Sequence, residues 1–182
     1  KNIFNLLNLS EGKPYAVIRF VSWTATHDIG EQGISNSFKS KLIQELSKYA
    51  NVLISHEGKL SVELLPYKIT IPPEKMHDVL AFASLYLGES PTMTTESALL
   101  GTPAICISSW AYQLGNFELL NKYKLIHYYK PKNQNQALEK ALNIIKNKKS
   151  KQLWPNRRDR FLNDMVDVND YMLNVIQKSG KL

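Results

Sequence analysis

Residues 88–103 read GESPTMTTESALLGTP and stand between two apolar runs, at 83–87 and 104–107; this order leaves the chain few architectures. The first run has the length of a buried strand, and Gly88, Glu89 and Ser90 supply the turn that ends it. Ser90 is a natural N-cap and Pro91 suits the first helical position, so a helix starts there, with Met93, Ala98, Leu99 and Leu100 as its apolar side. Gly101 stops that helix, Pro103 prevents its return, and a second strand follows at once. Such a unit places unpaired backbone N–H groups and the positive end of a helix at the carboxyl edge of a sheet, where anions bind.

Ser90-Pro91-Thr92, then Glu96, then Leu100-Gly101-Thr102-Pro103 resemble the nucleotide-sugar signature in the C-terminal half of GT-B glycosyltransferases and of UDP-N-acetylglucosamine 2-epimerases. Lys75-Met76-His77-Asp78 is also similar to a stretch of an uncharacterised bacterial and archaeal family of that superfold. The resemblance implies a Rossmann-like three-layer α/β domain with a mostly parallel sheet. It implies a nucleotide sugar, UDP-linked, as substrate, with no separate cofactor. Gly88, Glu89, Ser90, Thr92 and Thr94 would then hold the diphosphate, and Glu96 the ribose hydroxyls. The implied activity is sugar transfer to an acceptor in glycan or polysaccharide synthesis. The alternatives are 2-epimerisation and a non-catalytic nucleotide-sugar-binding or interaction module. One departure stands out: the family usually carries glycine where this chain has Pro91 and Thr92, so hydroxyls must substitute as donors.

From the residues themselves, Glu96 falls between one and two helical turns after Ser90, within reach of the phosphate end of the helix. The simpler reading is that its charge complements the positive helix end.

At 182 residues, with 43% hydrophobic and 21% charged residues, the chain can bury one sizeable core. No apolar run is long enough to span a bilayer, and no signal-peptide pattern opens the sequence. The one cysteine, Cys106, falls in a strand and reads as a small buried hydrophobe, which points to a reducing, cytoplasmic setting. The sequence starts at Lys1, directly in a helix-like segment, and reads as an excised C-terminal half whose partner is a second Rossmann-like domain. Residues 1–14 are expected to be a linker or inter-domain helix, 15–150 the nucleotide-sugar domain, and 151–182 terminal helices that pack on the missing half.

Strands are expected near 15–21, 51–55, 67–71, 84–87, 103–107 and 125–129. Arg19 interrupts the apolar first strand: it pairs with a core carboxylate or snorkels out of the sheet end, or it faces the ligand cleft. The donor-rich loop that follows, 22–33, is longer than strand-to-helix loops usually are. Ser35 is placed to cap the next helix, and Ala137, Ala141, Leu142 and Ile145 to face inward from a helix over 133–146.

Three histidine–acid pairs, His27-Asp28, His56-Glu57 and His77-Asp78, each follow an expected strand. In a parallel sheet such loops emerge at one edge, so His27 and His56, with Arg19, are candidate catalytic groups and His77 a candidate substrate ligand. None of these histidines has the local spacing of a metal site, and no metal is expected. Each could equally be a surface or capping residue.

The net charge of +7 is concentrated in Lys146, Lys148, Lys149, Lys151, Arg157 and Arg158. Such a run is commonly a solvated face; the functional reading is a cationic patch against anionic lipid at the inner membrane face. It lacks the aromatic interleaving of single-strand binders, so nucleic acid is not expected.

Overall fold

The computed structural model describes residues 3–23, 30 and 32–179. Five strands, β1 (Tyr15–Phe20), β2 (Asn51–His56), β3 (Leu85–Gly88), β4 (Ala104–Ile107) and β5 (Ile126–Tyr129), form one sheet in the order β2-β1-β3-β4-β5. Every neighbouring pair is parallel. The strands are continuous apolar runs because both faces are covered: every residue of β3 and β4 is buried, and Arg19 alone in β1 is not.

The helices are α1 (Ile3–Leu6), α2 (Asn36–Ser47), α3 (Met76–Phe82), α4 (Pro91–Leu99), α5 (Gly115–Lys122), α6 (Gln134–Lys146), α7 (Ser150–Asp164) and α8 (Val168–Ser179). Helices α2 and α6 pack together on one face of the sheet; α3, α4 and α5 adjoin one another on the other, with α1 against α3 and α7 against α4. This is the arrangement that right-handed crossovers produce when the chain reverses direction between β2 and β3.

Helix α4 has the expected boundaries. The Ser90 hydroxyl accepts the N–H of Met93, Pro91 occupies the first turn, and Gly101 follows with φ of +81°. The N–H of Gly101 bonds to Ala98 and that of Thr102 to Ser97, a Schellman turn that satisfies the last carbonyls. Ser35 takes the N-cap position of α2 but makes no capping bond; its hydroxyl lies beside Gln134 and Ser37 instead.

Two expectations need correction. Residues 67–71 are not a strand: a 3₁₀ helix spans Val62–Tyr67, and the segment after it touches the sheet through one parallel bridge, Ile54 to Lys68. Pro66 lies inside that 3₁₀ helix, and Pro72 and Pro73 follow five residues after Tyr67, which leaves little room for a ladder. The inward side of α6 is rotated, with Ala137, Leu138, Ala141 and Ile144 buried and Leu142 and Ile145 half-buried. The basic segment 150–160 is part of α7, a helix with Pro155 inside it, anchored on this domain's core by Trp154 and Phe161. Helix α8, in contrast, has no buried residue.

Candidate functional site

The carboxyl ends of β1 and β3 meet at the point where the strand order reverses, the usual place for a ligand crevice in an open α/β sheet. Register sets Arg19 beside both Ser55 of β2 and Gly88 of β3. A Cβ at Gly88 would lie 2.5 Å from the Tyr86 hydroxyl and 2.8 Å from Cβ of Arg19, so strand packing alone accounts for the glycine.

The Arg19 guanidinium is 18% exposed. Its Nη1 donates to the Ser55 hydroxyl at 2.6 Å and its Nη2 to Glu57 Oε1 at 2.5 Å, while the buried Nε has no hydrogen-bond partner among the described residues. The pairing with a carboxylate is therefore present, and the carboxylate sits at the rim rather than in the core. Next to it, His56 ends β2, and its Nδ1 accepts the N–H of Gly58 at 2.6 Å. Burial, with Lys39 and Arg19 nearby, holds the imidazole below its ordinary pKa, so the ring is neutral at pH 7 with Nε2 carrying the proton.

In the turn after β3, most polar groups are engaged within the fold. Glu89 is only 1% exposed; its Oε2 accepts the N–H of Val21 at 2.7 Å and its Oε1 that of Ile34 at 2.6 Å. Burial raises its pKa despite these donors. A Cβ on Gly33 would collide with Oε1 of Glu89, so the loop can approach the carboxylate only because residue 33 is glycine. Thr94 is fully buried and its hydroxyl donates to the Ser90 carbonyl at 2.8 Å, as does that of Tyr86 at 3.3 Å. Thr92 is exposed in the first turn of α4, where its backbone N–H is one of the helix's orphan donors.

About one turn further along α4, Glu96 is half-exposed and its Oε1 lies 3.5 Å from Nε2 of His77, near the start of the neighbouring α3. His77 thus stands at the amino end of a helix, and His56 at the carboxyl end of a strand, both on the carboxyl edge of the sheet. His27 lies outside the described residues. The structure gathers the other candidates in two groups: Arg19 with His56, and His77 with Glu96. The segment from Gly88 to Thr92 runs between them.

Sequence reasoning missed Ser55, the pairing of Glu57 with Arg19 and the bridging role of Glu89. Partners 36 to 68 residues away in sequence decide these roles, and local pattern carries no trace of them. Among the described residues, no group of three or more His, Cys, Asp or Glu side chains is placed to hold a metal ion.

No protein-family model and no curated protein sequence matches this chain. Solved structures do match. The glycotransferase of kitacinnamycin aligns at 12% identity and TM-score 0.52 over 83% of this chain and 40% of its own. A variant of the wall teichoic acid polymerase TagF aligns at 15% identity and TM-score 0.51 over 98% of this chain and 46% of its own. CalG4, the calicheamicin glycosyltransferase, aligns at 15% identity and TM-score 0.53 over 84% of this chain and 39% of its own. The likeness is one of fold: a Rossmann-like half of a GT-B-type protein. The chain spans less than half the length of each of these neighbours.

Proposed function

We propose, starting from the GT-B-type half-domain fold, that this chain is the donor-binding half of a glycosyltransferase and holds the nucleoside diphosphate of a UDP-linked sugar at the β1–β3 crevice. The observation that carries this reading is helix α4. Its capped amino end opens at the switch point, and the same helix carries Glu96 beside His77.

In this reading the exposed first turn of α4, with the hydroxyl and N–H of Thr92, meets the diphosphate. Those donors stabilise the charge that develops on the leaving diphosphate as the glycosidic bond breaks. Ser90, Thr94 and Glu89 fix the turn rather than touch the ligand, because their polar groups are already engaged. Glu96 accepts from the ribose hydroxyls, oriented by His77. Arg19 supplies positive charge at the back of the crevice, and neutral His56 retains an Nε2 for proton transfer. The acceptor and the remaining catalytic groups belong to a second Rossmann-like half, which the apolar residues of α8 would meet. A cytoplasmic location, with the basic residues of α6 and α7 near an anionic membrane, completes the proposal.

UDP titration by thermal shift tests it. UDP is expected to raise the melting temperature at millimolar concentration, and an analogue lacking the ribose hydroxyls to raise it less. Glu96→Gln is expected to reduce the response to UDP to that of the analogue, a loss of about 1.5–3 kcal/mol for a charge-assisted contact. Equal responses to both ligands in both proteins would remove the assignment.

A further inference from the structure

At the opposite edge of the sheet, where β5 begins, a groove of about 480 Å³ runs between β5, α6 and α7. Lys124, Lys140, Arg157 and His127 line it together with Asn143 and Asn147, and among the described residues no carboxylate does. A second groove of the same volume adjoins it through Lys124 and Arg157 and adds Lys122 and Arg160. The single acid there, Asp164, accepts the Tyr123 hydroxyl at 2.9 Å.

The cations are held, not merely present. Trp154 donates from Nε1 to the Leu125 carbonyl at 2.8 Å, and the Arg157 guanidinium lies over the indole at 4.4 Å. Nη1 of Arg157 donates to the Lys124 carbonyl at 2.9 Å. These two contacts fix the guanidinium plane and leave its other donors available. Lys124 itself has φ of +58°, at a helix-ending position that glycine or asparagine would fill with less strain. Neither Lys124 nor Lys140 has an ion-pair partner among the described residues. Like charges gathered in a groove repel one another, and a bound anion converts that repulsion into attraction.

We propose that Lys124, Lys140, Arg157 and His127 form a phosphate-binding site at the amino edge of the sheet, separate from the β1–β3 crevice. The fixed guanidinium suits bidentate contact with phosphate oxygens, the two lysines supply point charges, and the asparagine amides add neutral donors. The phosphate belongs either to a soluble phosphorylated molecule or to the headgroup of an anionic lipid. Exposed Lys148, Lys149 and Lys151 lie in the α6–α7 turn and the first turn of α7.

The test uses the whole chain, with the His127 imidazole followed by NMR at pH 7 and in a pH titration while inorganic phosphate or pyrophosphate is added at constant ionic strength. A saturable shift is expected with either probe and not with chloride, together with a rise of at least one unit in the His127 pKa, because the anion offsets the nearby cations. Lys140→Gln, a change at a half-buried position outside the hydrophobic core, should weaken binding at least fivefold, and Arg157→Gln more. Sedimentation with phosphatidylcholine vesicles, with and without phosphatidylglycerol, separates the sources. Co-sedimentation with the anionic vesicles that Lys140→Gln reduces and pyrophosphate competes for assigns a lipid phosphate. Saturable binding of the soluble probes without co-sedimentation assigns a soluble ligand. Equal responses to phosphate and chloride, or full binding by the Lys140→Gln variant, would overturn the site.

Discussion

Oε1 of Glu89 accepts the N–H of Ile34 at 2.6 Å, joining the end of the long loop after β1 to the turn after β3. Because Oε2 accepts the N–H of Val21 at the start of that loop, one carboxylate closes both ends of residues 22–33. A buried carboxylate holding two backbone donors explains why the turn carries an acid where a phosphate-binding turn has no use for one.

Glu89→Gln keeps the shape but offers one acceptor and one donor to two N–H groups. One backbone donor is left unpaired in a buried site, at a cost of about 1–3 kcal/mol. Urea denaturation measures the loss. A variant as stable as the wild type would show that the clamp contributes nothing.

The same residue gives a pH signature. Burial raises the Glu89 pKa above its unfolded value, so the folded state keeps this proton to higher pH than the unfolded chain does. The contribution is fully present below the ordinary carboxylate range and is lost as pH rises through the folded pKa. The stability difference between wild type and Glu89→Gln should therefore shrink as pH rises from 4 toward neutrality, and a flat difference would contradict the buried charge.

His127 acts in the opposite sense. Burial, with Lys140 and Arg157 close by, lowers its pKa from 6.5 to about 4. The unfolded chain takes up that proton first, so stability is intact above pH 6.5 and is lost as pH falls toward 4, by about 2 kcal/mol after allowance for partial exposure. A wild-type minus His127→Gln comparison isolates this slope from the carboxylates that titrate over the same range.

Gly101→Ala places a Cβ on a backbone at φ of +81°, 3.3 Å from Cα of Pro155 and from Nη1 of Arg158. Left-handed geometry alone costs a non-glycine residue about 1–2 kcal/mol, and the tight contact with α7 adds to it. Thermal unfolding checks the sum.

Glu57→Gln removes the counter-charge on Arg19 and leaves the Ser55 contact in place. The pair is exposed at its acid end, so folding should change by less than about 1 kcal/mol. On the proposed reading, UDP then binds several-fold tighter, and unchanged affinity would detach Arg19 from the diphosphate.

The parts of this fold that were legible in sequence are those where one local rule suffices. Continuous apolar runs mark β1, β3 and β4, and Ser90, Pro91 and Gly101 mark the ends of α4. Residues 67–71 look like a strand by composition, but sheet membership depends on neighbours, and beyond β2 this segment makes one bridge. The inward phase of α6 was misjudged because Leu138, Leu142, Ile144 and Ile145 offer two adjacent apolar faces, and packing against the sheet and α2 selects between them. In the candidate site, the turn and the His77–Glu96 neighbourhood follow from the order of elements. The engagement of Glu89 and Arg19 does not, since each depends on backbone or side chains brought in from distant strands.

Strand β1 is an interior strand, yet its two neighbours arrive at very different points in the chain: β2 begins at Asn51 and β3 only at Leu85. A nascent or truncated chain that stops before Leu85 can form the β1–α2–β2 unit, but it leaves one side of an almost wholly apolar strand with open hydrogen-bonding groups. Such an edge is a template for pairing with other chains. Fragments that end between β2 and β3 should therefore aggregate, and those that extend through Gly88 cover β1 but move the open apolar edge to β3 until β4 pairs with it.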